Sequence, residues 1–193
     1  MTKIEYSELL SELRPIAREA GSQIMKIYES SIDVNFKIDG SPVTIADEAA
    51  EKIILTKLNT IAPDIVIVSE ENASSHSFEA SNQFFLIDPL DGTKEFLKKD
   101  GLGSFTVNIG LIENGIPTLG VVFAPALNRM FFASALTGAF EEHEGDIKEI
   151  CIRELPNSGP VAVASVSHRD ESTNNWLENN NCLLYTSPSP RDS

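Results

Sequence analysis

The chain has 193 residues, 41% of them hydrophobic, enough for one substantial core or for one domain with part of another. Its 29 acidic against 15 basic side chains leave a formal net charge of -14. This argues against a protein that wraps a nucleic-acid polymer on a basic surface, but it leaves room for a small anionic substrate held through a metal cation.

No apolar run reaches the length of a membrane span, and the start Met1-Thr2-Lys3-Ile4-Glu5 lacks the apolar core of a secretory signal. The two cysteines, Cys151 and Cys182, are too few for a disulfide scaffold. These features predict a soluble, cytoplasmic protein and leave peripheral membrane association and oligomeric state open.

In chain order, Leu9, Leu10, Leu13, Ile16, Ala17, Ala20, Ile24 and Tyr28 recur at helical spacing and predict one apolar face. Asp39-Gly40-Ser41-Pro42 breaks the chain. A second helix is predicted with Ile45, Ala49, Ile53 and Leu58 on its inner side, ended by Pro63-Asp64. Ile65 to Val68 is a β-branched run that reads as a buried strand, and residues 72–83 read as a polar loop. Phe84 to Ile87 predicts a second strand closed by Asp88-Pro89.

Phe105 to Ile112 and Ile116 to Phe123 flank Glu113-Asn114-Gly115, a hairpin turn. Met130 to Ala133, Gly138 to Glu141 and Ile147 to Ile152 read as further antiparallel strands, the last with Cys151 as a small buried residue. Pro156 to Pro160 is a loop and a candidate boundary. Val161 to Ser165 predicts a new strand, and Arg169 to Glu178 a helix. The order predicts a layered α+β fold whose second α/β layer begins near residue 160.

Three acidic clusters stand at the ends of predicted elements, where scaffolds commonly present catalytic groups. They are Lys37 to Asp47, Ser69-Glu70-Glu71, and Asp88-Pro89-Leu90-Asp91-Gly92-Thr93. Each has an ordinary reading. Thr44 and Asp47 have capping-box spacing, Glu70 and Glu71 can be solvated acids, and Asp-Pro and Asp-Gly are common turn dipeptides. Together they present the hard oxygen ligands that Mg²⁺ prefers. Asp88 and Asp91, across a tight turn, can face one site, with the Leu90 carbonyl between them. Gly92 permits close backbone approach to an anion, and Thr93 can open a helix facing a phosphate.

Asp88-Pro89-Leu90-Asp91-Gly92-Thr93 resembles the D-P-[IL]-D-G-T motif of the inositol-monophosphatase superfamily. Its companions come in order: Ser41-Pro42-Val43-Thr44-Ile45-Ala46-Asp47, then Glu70-Glu71. The resemblance runs from about Leu9 to Glu178. Lys94-Glu95-Phe96, Val107 to Ile112, Gly120 to Pro125 and Ser165-Val166-Ser167-His168 resemble the bisphosphate-nucleotidase (CysQ-like) branch.

The resemblance implies the family's layered αβαβα sugar-phosphatase fold. It also implies Mg²⁺-dependent hydrolysis of the 3′-phosphate of 3′-phosphoadenosine 5′-phosphate to AMP and phosphate. Glu70, Asp88, the Leu90 carbonyl and Asp91 are expected as metal ligands. Asp47, Thr93 and Glu70 are expected as catalytic residues. Glu70, Leu90, Asp91, Gly92, Thr93 and His168 are expected against a small nucleotide bisphosphate. The alternatives are an inositol or sugar phosphatase of the same fold, or a non-catalytic Mg²⁺- or nucleotide-binding relative.

Cys182 to Asp192 has neither helix nor strand period and resembles a translated sequencing adapter, so residues 182–193 are expected to be a non-native tail. The family's later W-D-x-A-A-like segment carries a further metal-binding Asp, but the single tryptophan, Trp176, is followed by Leu177. The expected organisation is therefore an α+β metal-binding domain over 1–158, the truncated start of an α/β domain over 159–181, and the tail, in a chain expected to be inactive by itself.

Overall fold

The computed structural model describes residues 2–29, 34–36, 42–72, 75, 82–98, 103–152, 154–156, 159–164, 170–180 and 182–186. It divides into two compact units, Met1–Ile150 and Cys151–Ser193.

In the first unit, helix α1 (Lys3–Tyr28) begins in a capping box. The Glu5 N–H donates to the Thr2 side chain, and the Thr2 N–H donates to the Glu5 carboxylate. Its predicted face is the buried one, with Leu13, Ala17, Ala20 and Ile24 fully enclosed. A short antiparallel pair, β1 (Val34–Phe36) with β2 (Pro42–Thr44), leads into helix α2 (Ile45–Ile61).

The inner stripe of α2 corrects the sequence reading. Ala46, Ala50, Ile54 and Leu58 are buried, while Ile45 is 45% exposed and Ala49 and Ile53 are partly covered. An unbroken stripe at a spacing of four, with small alanines where the helices approach, outcompetes the larger but less regular set beginning at Ile45. The one-residue rotation carries Asp47 inward.

Seven strands form one sheet in the order β3-β4-β5-β6-β7-β8-β9. They are β3 (Val66–Ser69), β4 (Gln83–Asp91), β5 (Thr106–Glu113), β6 (Ile116–Ala124), β7 (Arg129–Ser134), β8 (Gly138–His143) and β9 (Asp146–Ile150). Only β3 and β4 run parallel; every later neighbour is antiparallel. Helix α3 (Thr93–Lys98) follows β4.

Helix α1 packs on β5, β6 and β7, and α2 packs on β4. Phe85, Ile87, Val107, Ile109, Leu111, Val121 and Phe123 alternate inward beneath them to build the core. Tyr28, Phe96 and Phe105 meet with ring centroids 5.1–5.2 Å apart, and the Phe96–Phe105 pair is edge-on at 81°.

The strand after Phe84 does not close at Asp88-Pro89. It continues to Asp91, with a register shift between Asp88 and Asp91. The last strand stops at Ile150, so Cys151 is exposed and Ile152 is 97% exposed. Among the described residues β9 is the outermost strand of its sheet, and its residues are almost all exposed.

In the second unit, β10 (Val161–Ala164) and β11 (Leu183–Thr186) pair in parallel, with helix α4 (Glu171–Asn179) between them in the chain. Asp170 caps α4, accepting from the Thr173 N–H at 2.7 Å. The pairing at Leu183–Thr186 corrects the expectation of no regular structure there. Leu-Leu-Tyr-Thr is rich in strand-favouring residues, and a parallel pair needs a connection of the length that α4 provides. Among the described residues no helix is long and apolar enough to cross a membrane.

Candidate active site

The parallel pairing of β3 with β4 builds the site. Ser69 is in register with Ile87, and the Glu70 N–H donates to the Ile87 carbonyl at 3.1 Å. Parallel strands end at the same edge of a sheet, so Glu70 leaves β3 beside Asp88. Ser69 is itself tied down. Its hydroxyl donates to Glu51 on α2, and its N–H donates to Ser75 Oγ at 3.0 Å. Neither Glu51 nor Ser75 stood out in the sequence, because a contact between distant segments leaves no local pattern.

Asp88 is in register with Asn108, and Asp91 with Thr106, across the bulge. A spacing of three puts side chains on opposite faces of a regular strand. The bulge breaks that alternation, and Asp91 acts electrostatically on Asp88. The Leu90 N–H donates to Asp88 Oδ1 at 3.2 Å, and the Thr93 hydroxyl donates to the Leu90 carbonyl at 3.2 Å. Burial pushes the Asp88 carboxyl up from an ordinary 3.8 to about 7. The charges of Glu70 and Asp91 and a hydrogen bond with Glu70 push the same way, and the Leu90 N–H opposes them.

Gly92 has φ +89°, and a Cβ there would lie 2.7 Å from the Ser104 carbonyl oxygen and 3.2 Å from Phe105 Cα. The chain's own backbone therefore requires this glycine, whatever an anion needs of it. Behind it, the Phe96 N–H donates to the Gly92 carbonyl at 2.9 Å, and the fully buried Phe96 ring anchors α3.

Asp47, in the first turn of α2, is only 2% exposed. Glu71 is partly buried and Lys94 exposed. Asp39 and the rest of 37–41, together with His168, lie outside the described residues.

A cavity of about 870 Å³ is lined by Glu70, Asp88 and Asn108, and by Leu86, Gly110 and Val122 among others. Asp88, Asn108 and Gly110 alternate with residues buried under the helices, so they belong to the opposite sheet face. Thr106 and Asn108 were missed in the sequence. The available signal was two polar residues, two apart in a strand otherwise rich in Val, Ile and Leu.

The donor chemistry suits a hard divalent cation. Carboxylates crowded enough to raise Asp88 to about 7 are relieved by one, and the Leu90 carbonyl keeps a lone pair beyond the one used by Thr93. Among the described residues no three His, Cys, Asp or Glu side chains stand grouped to hold an ion as they are. A cation there would require the Asp88 carboxyl to lose its proton.

A family model described as the inositol monophosphatase family matches residues 5–188. This chain belongs to that family. Among curated family members, it is 43% identical to the 3′(2′),5′-bisphosphate nucleotidase CysQ of Buchnera aphidicola (subsp. Acyrthosiphon pisum) over 182 residues, 92% of this chain and 66% of that one. It is 42% identical to CysQ of Escherichia coli K12 over 174 residues, 88% of this chain and 68% of that one. The chain thus spans about two thirds of the length of these relatives.

The crystal structure of CysQ from Bacteroides thetaiotaomicron, described as a bacterial member of the family, superposes with a TM-score of 0.73 at 31% identity, covering 94% of this chain and 73% of that one. The IMPase of Thermotoga maritima gives a TM-score of 0.73 at 27% identity, covering 92% and 68%. The layered α/β fold of the family is thus the fold of this chain.

Proposed function

We propose that this chain carries the catalytic carboxylates of a Mg²⁺-dependent 3′(2′),5′-bisphosphate nucleotidase, which converts 3′-phosphoadenosine 5′-phosphate to AMP and phosphate. The observation that carries the chemistry is the hydrogen-bonded Glu70–Asp88 pair with the charge of Asp91 acting on it, at the end of the parallel strands. The similarity to CysQ nucleotidases supports the substrate.

Glu70, Asp88, the Leu90 carbonyl and Asp91 would hold the cation. When bound, Mg²⁺ lowers the pKa of water and offsets charge on the phosphoryl oxygens. The protein's own groups do the rest. Thr93 and Asp47 orient the attacking water, and the Asp47 carboxylate accepts its proton, with Glu70 assisting. The water oxygen bonds to phosphorus, the bond from phosphorus to the ribose O3′ breaks, and O3′ takes up a proton from solvent water while Asp47 returns its own to solvent. Backbone N–H groups of Asp91, Gly92 and Thr93 meet the phosphate oxygens, held there by the locked turn at Gly92. His168 contributes on the nucleotide side.

The test is phosphate release by a fusion of this chain to the part of a CysQ relative that it does not span. The nucleotide bisphosphate and inositol 1-phosphate would be compared with and without Mg²⁺. The expected result is Mg²⁺-dependent release, faster from the nucleotide, and lost in Asp88→Asn. Faster release from inositol 1-phosphate would move the chain to the inositol branch. Release from neither substrate by a folded fusion would favour a non-catalytic binding relative.

A further inference from the structure

On β5, Thr106 and Asn108 are two residues apart and so project from the same face of the strand. Thr106 Oγ1 lies 3.1 Å from Asn108 Nδ2 and 3.3 Å from Asn108 Oδ1, so one hydroxyl engages both ends of the amide. Asn108 stands in register with Asp88, and Thr106 with Asp91, on either side of the bulge. Directly opposed residues on antiparallel strands have Cβ atoms about 4.5–5.5 Å apart, within reach of a side-chain hydrogen bond. Asn108 also lines the same cavity as Glu70 and Asp88.

The bulge matters energetically. Between Asp88 and Asp91 the register shifts, so regular strand alternation does not by itself set how the two carboxylates face. The two carboxylates repel one another across that bulge. A third acid opposite Asp88 would add to the repulsion, whereas an amide offers N–H donors without charge. The Thr106 hydroxyl occupies one side of that amide and leaves a second Nδ2 hydrogen for a carboxylate.

We propose that Asn108, fixed by Thr106 and standing in register with Asp88, is a positioning residue for the Asp88 carboxylate, donating to it once a cation holds that carboxylate ionised; in the cation-free chain Asp88 Oδ1 accepts instead from the Leu90 N–H. This rests on the reading of Asp88 as a cation ligand. The pair acts through Asp88, and neither residue touches the phosphate.

The experiment is titration of the 193-residue chain with Mn²⁺, followed by the electron paramagnetic resonance signal of the free ion. Thermal melting without metal serves as the fold control. Asp88→Asn is expected to lose most of the binding. Asn108→Leu, similar in size but without donors, is expected to weaken Mn²⁺ binding by about 10–100-fold while the metal-free melting temperature stays put. Thr106→Val should weaken it by a smaller factor, and Thr106→Ser should retain it. A purely structural role would move melting and not the Ser/Val difference.

Binding unchanged in Asn108→Leu but lost in Asp88→Asn would overturn the positioning role and leave the proposed function standing. Binding insensitive to both would overturn the cation reading of Asp88, and this proposal with it. Should Asn108→Leu melt early, the near-isosteric Thr106→Val decides, and unchanged binding there overturns the proposal.

Discussion

Glu70 and Asp88 come from two parallel strands and share a hydrogen bond between their carboxyl groups. Burial first, and then the Glu70 charge beside it, hold the Asp88 carboxyl well above the ordinary carboxylate range. A hard divalent cation would relieve that crowding, which is the reason the proposed function assigns one here.

The first prediction concerns pH. Asp88 binds its proton more tightly folded, with a pKa of about 7, than at its ordinary 3.8. Its contribution to stability is therefore fully present below the ordinary value and is lost as pH rises towards 7. Other acids, such as Glu113 and Glu141, are held below the ordinary carboxylate range and titrate alike in wild type and Asp88→Asn, so the difference isolates this group. In chelator, wild type should fall below Asp88→Asn in melting temperature as pH climbs through this window. Mg²⁺ at neutral pH should restore wild type only. Parallel curves at all pH values would contradict the burial of Asp88.

Gly92→Ala should destabilise the fold by more than about 1–2 kcal/mol, the usual cost of a left-handed residue, because the new Cβ also meets the Ser104 carbonyl at 2.7 Å. Denaturant unfolding measures this. The strain falls between Asp91 and Thr93, so phosphate release by the fusion should drop along with stability.

Asp47→Asn is expected to lower phosphate release by the fusion about 10²–10⁴-fold, the usual contribution of a general base, with substrate affinity little changed. Thr93→Val should do the same. Near-intact turnover in Asp47→Asn would assign Asp47 to the start of α2 alone.

Phe96→Ala removes a fully buried ring that packs edge-on against Phe105 with centroids 5.2 Å apart. The expected loss is about 3–5 kcal/mol in chemical denaturation. Because the same ring anchors α3, a folded fraction of this variant should also show weakened Mg²⁺ dependence of phosphate release.

The apolar face of α1, the strand segments and the three acidic clusters were legible in the sequence, because period and turn chemistry are local properties. The buried Leu13, Ala17, Ala20 and Ile24 follow from spacing alone. Asp88, Asp91 and Gly92 were legible because their motif is contiguous. Tertiary structure decided the rest.

The parallel partnership of β3 with β4 set Glu70 against Asp88, and strand direction depends on connections that no local pattern records. Competition for the surface beneath α2 turned that helix by one residue and buried Asp47. A bulge overrode strict alternation between Asp88 and Asp91 and brought Asn108 and Thr106 opposite them. Sequence fixes which groups are available, but register and packing choose which of them meet, because both are settled by contacts between segments far apart in the chain.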